Sequence, residues 1–273
     1  MRLARWLRIV GGSLCLVFCA TAVLAQAPAA RPPPVTAEAA KTTFPANAAE
    51  LDMLLSQRNY AKLGQIFRDT NKYEDVVLNM NWLQVRLFTG GTAFLGFPYI
   101  AGLDRVSTAL GDARGADMKK TAILIFLYTY QLIVIDGQRC KDVSAPGHRR
   151  DQLLTGFPNV RKFIAALSDE EMDTLLKTAV KMENSSAPRR TDDDFLCRGG
   201  MAEMTATLKK YGDNATREVP TPPGGIGKTM EVRTDPDFRP EFLGKEVWSP
   251  KQAELRAQMP EILKNLVSGV RKK

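Results

Sequence analysis

The densest group of chemically able side chains is Asp136-Gly137-Gln138-Arg139-Cys140-Lys141-Asp142, followed by His148-Arg149-Arg150-Asp151. A carboxylate and an imidazole held in hydrogen-bond reach exchange protons near neutral pH, and neighbouring guanidiniums hold an anionic substrate. Asp136, Asp142 and His148 are therefore the candidate catalytic residues, and a hydrolase is the chemistry they suggest. The same stretch also reads as a helix C-terminus at Asp136-Gly137, then a solvated loop pinned by Cys140. Glycine after a helix and basic residues nearby fit that arrangement. The sequence adds no nucleophile elbow, no paired metal ligands and no glycine-rich cradle to favour catalysis.

Two cysteines, Cys15 and Cys19, lie in an apolar N-terminal segment, which leaves Cys140 and Cys197 in the body of the chain. His148 is the sole histidine and no Cys-x-x-Cys occurs. Zinc thus lacks its usual ligands, and neither a metal nor a cofactor is expected. An isolated cysteine pair in an exported chain predicts a disulfide, Cys140 to Cys197. Closing a loop of that size restricts the unfolded chain by roughly 4 kcal/mol in the loop-entropy treatment.

Two further motifs resolve to local structure. Asp192-Asp193-Asp194 places its acids consecutively at a helix start, whereas a calcium loop alternates them. Carboxylates there predict capping of exposed amides. Gly224-Gly225-Ile226-Gly227-Lys228-Thr229 has the look of the end of a phosphate loop, but Pro222 stands where that pattern needs glycine and no apolar strand precedes it. A flexible loop is expected.

The elements that would position these groups are helical. The 273 residues are 44% hydrophobic and 25% charged, which excludes a disordered, collagen-like or disulfide-dense chain. Arg2, Arg5 and Arg8, the apolar run Ile9 to Ala22 and the small residues of Val23-Leu24-Ala25 form a secretory signal over 1–25. Its removal lowers the formal charge from +8 to +5, weak grounds for a nucleic-acid partner. An Ala/Pro-rich linker follows over 26–46 and cannot bury a core.

From Asn47 the apolar spacing is helical. Leu51, Leu54 and Leu55 share one face, and Tyr60, Leu63, Ile66 and Phe67 the next, with Asn59 as cap between them. Ser168 with Glu171 forms a capping box. Cys197, Met201, Met204, Leu208 and Tyr211 read as the inward face of another helix. Leu87 to Leu103 and Thr121 to Ile135 are apolar all round, short of the roughly 20 residues of a membrane span, and read as a buried helix pair. A membrane-inserted hairpin connected by Asp104 to Lys120 is the alternative.

Prolines over 212–248 predict an extended arm across the body. Ser249-Pro250 restarts a helix that Pro260 interrupts, and Ile262, Leu266 and Val270 dock its last turns. The sequence thus predicts an all-α fold: a compact helical domain over 47–211, a Pro/Gly-rich arm over 212–248 and short helices over 249–273. The function expected is an exported binding or interaction protein, periplasmic or secreted, without catalysis of its own. Its expected partner is an apolar small molecule or an envelope protein. Phe94, Phe97, Tyr99, Phe126, Tyr128, Tyr130, Met201 and Met204 are the candidates to line its pocket. The alternatives are an envelope hydrolase using Asp136, Asp142 and His148, and a membrane-associated assembly factor. Peripheral membrane contact would use the terminal amphipathic helix.

Overall fold

Ten α-helices and one small β-hairpin make up residues 44–221 and 227–272, the part of the chain that the computed structural model describes. The signal segment, nearly all of the Ala/Pro-rich linker and the Gly224 to Ile226 stretch lie outside the described residues.

Helices α1 (Ala48–Ser56) and α2 (Tyr60–Asp69) form the expected hairpin. Arg58 turns the corner with a left-handed φ of 57°, and the Asn59 side chain accepts a hydrogen bond from the Lys62 amide. Helix α3 (Tyr73–Phe88) is tied back to α1, because Trp82 Nε1 and the Arg86 guanidinium both donate to Asp52. A 3-10 turn, Ala93–Leu95, then leads into α4 (Gly96–Asp136).

Helix α4 is the spine of the fold, and it doubles back on itself. Gly111 adopts φ 71° and ψ 178° inside it, a conformation that favours glycine. The two limbs fold so that Gly96 lies against Thr129 and Gly115 against the Ser107 backbone. The stretch Arg114–Arg139 is long and apolar enough to cross a membrane by length and composition, yet 67% of its most apolar window is buried within the protein. Helices α3, α5 (Ser144–Gly156), α6 (Pro158–Ala166) and α7 (Asp169–Ser186) pack around it. The apolar run Leu87 to Leu103 is not one helix. It spans the end of α3, the 3-10 turn and the start of α4, and buries Leu87, Leu95, Ile100 and Leu103.

Ser168 and Glu171 make the reciprocal capping box at the start of α7. The short α8 (Asp194–Cys197) brings Cys197 to Cys140, and the two are disulfide-bonded with Cα atoms 5.1 Å apart. Helix α9 (Met201–Tyr211) departs from expectation. Gly199, at φ 81°, separates it from Cys197, so the cysteine and the methionines do not share one helix. Glu203 and Thr207 are the buried positions of α9, while Met201, Met204, Leu208 and Tyr211 are 37% to 59% exposed. The reason is electrostatic: Glu203 accepts from the Arg198 guanidinium and the Gly199 amide, which turns the polar side of α9 inward.

The arm is partly structured. Strands β1 (Thr216–Val219) and β2 (Thr229–Val232) pair antiparallel, with Thr216 opposite Val232. Further on, the Lys141 amide donates to the Glu241 carbonyl and the Leu243 amide to the Arg139 carbonyl, laying the arm beside Cys140. In place of short terminal helices from 249 there is one 27-residue helix, α10 (Lys245–Arg271), running through both Pro250 and Pro260. Met259 and Leu263 are buried on either side of Pro260. Packing there outweighs the one backbone donor that proline lacks. The helix docks as expected, but Met259, Leu263 and Val267 are its deepest apolar residues, with Ile262, Leu266 and Val270 flanking them.

Candidate binding site

Four aromatic rings form a wall where α2, the 93–95 turn, the start of α4 and α8 meet. Tyr60 lies 5.0 Å from Phe94 and 5.6 Å from Phe195; Phe195 is 5.4 Å from Phe94 and 5.6 Å from Phe97, centroid to centroid. The edge-to-face contacts of Phe195 rest on the same quadrupole preference that orders aromatic cores.

On one side of this wall is a cavity of about 470 Å³ between α2, α3 and α4. Its walls are Phe67, Val76, Met80, Leu83, Phe94 and Phe97, with Pro98, Ala101, Gly102 and Gly64 completing the apolar lining. Gly64 faces it, since a Cβ placed there would lie 3.7 Å from the Phe94 ring. Arg68, Asn71, Asn79 and Arg105 supply the polar lining, and none of the lining residues is acidic. Arg105 donates to the Thr70 carbonyl at 2.8 Å, and Asn79 to the Thr70 hydroxyl at 3.1 Å. An apolar volume of this size with a few polar groups around it is the usual form of a small-molecule site.

On the other side a groove of about 570 Å³ carries Arg58, Arg149 and Arg198 beside Tyr60, Phe94 and Phe195. Below it the acids of the Asp192-Asp193-Asp194 run go three ways. Asp193 caps α8 and accepts from the Thr92 hydroxyl and from the Ala93 and Phe195 amides. Burial pushes its pKa up, with those donors working the other way. Asp192 pairs with Arg139, and Asp194 with Arg58.

The three residues singled out for catalysis are placed apart in role. Asp136 ends α4 in the interior, where its carboxylate takes a 2.5 Å bond from Arg190. Burial raises its pKa, and Arg190 opposes that rise. Arg190 also reaches Glu183 and Ser186, while Tyr128 donates to Ser186, Arg256 to Glu183 and Gln252 to Asp136. Asp142 accepts from the Ser144 amide and hydroxyl and from the Ala202 amide, while Ser144 Oγ accepts from the Met201 amide. It thereby caps α9 across the disulfide. Burial would raise its pKa, but these donors outweigh burial and lower it. His148 is exposed on α5, its pKa lowered by partial desolvation and by Arg149. Among the described residues no hydrogen bond joins His148 to either carboxylate, and no three His, Cys, Asp or Glu side chains gather to hold a metal ion.

Of the eight candidates to line a pocket, Phe94 and Phe97 do so. Tyr99, Phe126, Tyr128 and Tyr130 are buried core, and Met201 and Met204 face outward. Val76, Met80 and Leu83 carry no signal in the sequence beyond helical spacing, because a cavity is a property of how α3 meets α4. Comparison with protein-family models found no match, and neither did comparison with curated proteins or with solved structures.

Proposed function

We propose that the chain is an exported helical binding protein that takes a small apolar molecule into the cavity between α2, α3 and α4. The observation that carries this reading is the cavity itself, with apolar walls of Phe67, Val76, Met80, Leu83, Phe94 and Phe97 and no acid in its lining. The space of about 470 Å³ is a cleft open to solvent on one side, concave and mainly apolar, which is the form small-molecule sites take. Glycines at Gly64 and Gly102 keep it open, since a side chain at either would enter the space or meet Met80. The hydrolase alternative requires proton transfer among Asp136, Asp142 and His148, groups already committed to an ion pair, to a helix cap and to solvent respectively.

The test uses N-phenyl-1-naphthylamine, a neutral apolar dye, on the oxidised protein. Saturable one-to-one fluorescence that Gly64→Leu abolishes, with the fold intact by circular dichroism, is the expected result. Absence of saturable binding, or binding unchanged by Gly64→Leu, overturns the cavity as the site. Export is tested by native mass spectrometry, without reductant, of protein from its host's envelope. A chain beginning at Gln26 and two hydrogens light is expected, and retained Met1 with free thiols overturns that part of the proposal.

A further inference from the structure

Arg149 is a partly buried cation with no carboxylate in direct contact. Among the described residues no carboxylate lies within salt-bridge reach of it, although buried charges are ordinarily paired. Its Nε donates to the Phe195 carbonyl at 2.9 Å and its Nη1 to Gln152 Oε1 at 2.8 Å. Nη2 donates to nothing among the described residues, and Gly199, at φ 81°, lets the backbone pass close beside it: an added Cβ would crowd Nη2 at 3.3 Å. The guanidinium stacks 4.1 Å from the Phe195 ring centre, at the wall of the groove that also holds Arg58 and Arg198. The neighbouring acids are engaged elsewhere: Asp194 with Arg58, Glu203 with Arg198, Asp193 with Thr92 and two backbone amides. Desolvation brings the Arg149 pKa down to about 10, with Asp193 and Glu203 opposing that fall from beyond contact distance. At the mouth of the groove Arg58 keeps a left-handed backbone, the sole non-glycine residue with positive φ among the described residues.

We propose that this groove binds an organic carboxylate, with its oxyanion on Arg149 and Arg58 and its flat apolar body against Tyr60, Phe94 and Phe195. A guanidinium presents parallel N–H donors that match a carboxylate, and a second cation beside it strengthens the pair. Arg58 is paired with Asp194 and Arg198 with Glu203, so Arg149 is the groove's guanidinium without a carboxylate in contact, which suits a singly charged ligand over a doubly charged one. The site is separate from the apolar cavity, which lies across the Phe94 ring.

The probes are benzoate, acetate and inorganic phosphate, added to the full oxidised chain at ionic strength matched with chloride and followed by calorimetry and melting temperature. Benzoate is expected to bind saturably and more tightly than acetate. Arg149→Gln is expected to weaken it at least about tenfold, the effect of one hydrogen bond to a charged group. Arg58→Gln, at a solvent-exposed side chain, tests the same site should the Arg149 variant not fold. Gly102→Leu, which fills the apolar cavity against Met80 and touches no ring of the groove, is expected to leave benzoate binding unchanged. Benzoate no better than chloride, binding by both arginine variants equal to that of the parent protein, or loss of binding in Gly102→Leu each overturns the proposal. So does phosphate binding in place of benzoate, which would assign an inorganic oxyanion to the groove.

Discussion

Asp136 and Arg190 stand 54 residues apart in sequence and meet at 2.5 Å in the interior, each side chain almost wholly out of solvent. Their bond joins the end of the spine helix to the segment after α7, and Glu183 and Gln252 bring α7 and the C-terminal helix to the same point. A residue that reads from the sequence as a catalytic acid is here the anchor of three elements.

Removing the cation at this point leaves Asp136 and Glu183 facing each other without their main partner. Arg190→Met should lower unfolding free energy by about 3–5 kcal/mol, the cost of breaking a buried pair from one side. Chemical denaturation of the oxidised protein measures it. A loss under about 1 kcal/mol would mean that Arg256 and Gln252 suffice to hold the two acids.

The disulfide closes a loop with a sequence separation of 57 residues. Reduction, or the Cys140→Ser/Cys197→Ser double variant, should cost roughly 4 kcal/mol by the loop-entropy relation. Guanidinium denaturation with and without reductant gives the difference. The arm should loosen with it, because Lys141 and Arg139 pair with the arm on either side of Cys140, and amide exchange at Leu243 reports that.

The outward stripe of α9 predicts an asymmetry between two helices that look alike in sequence. Met204→Lys and Leu208→Gln should each change stability by less than about 0.5 kcal/mol, as surface substitutions do. Leu263→Ala, at a fully buried position of α10, should cost about 2–5 kcal/mol. Equal costs for the two helices would contradict the orientation of α9.

Glu171 accepts from Lys120 and completes the capping box with Ser168, and these contacts, Lys120 first, depress its pKa to about 2. A depressed carboxyl contributes stability that is present above its ordinary pKa of 4.5 and is lost as pH falls toward about 2. Glu171→Gln should therefore melt below the parent protein at pH 6, with the gap closing by about pH 2. Because the group is exposed, the gap should also shrink in high salt. Melting curves at several pH values and two salt concentrations test both.

What was readable in the sequence was local or nearly so. Asn59 and the Ser168–Glu171 box declare their helices because a cap acts on amides two or three residues away. The all-helical body follows from spacing that buries one face of each segment, and the disulfide from there being two cysteines in the body of the chain. Other features were decided only by packing. Helix α10 continues through Pro260 because contacts on both sides hold it, which no local propensity records. The stripe from Met201 to Tyr211 has the spacing of a core face, yet it points outward because Glu203 finds Arg198 within the protein. The cavity and the arginine groove belong to neither side of that divide alone. Their residues are ordinary helix-face and loop positions, and they become sites only where the doubling back of α4 at Gly111 and the closure at Cys197 bring distant segments around one aromatic wall.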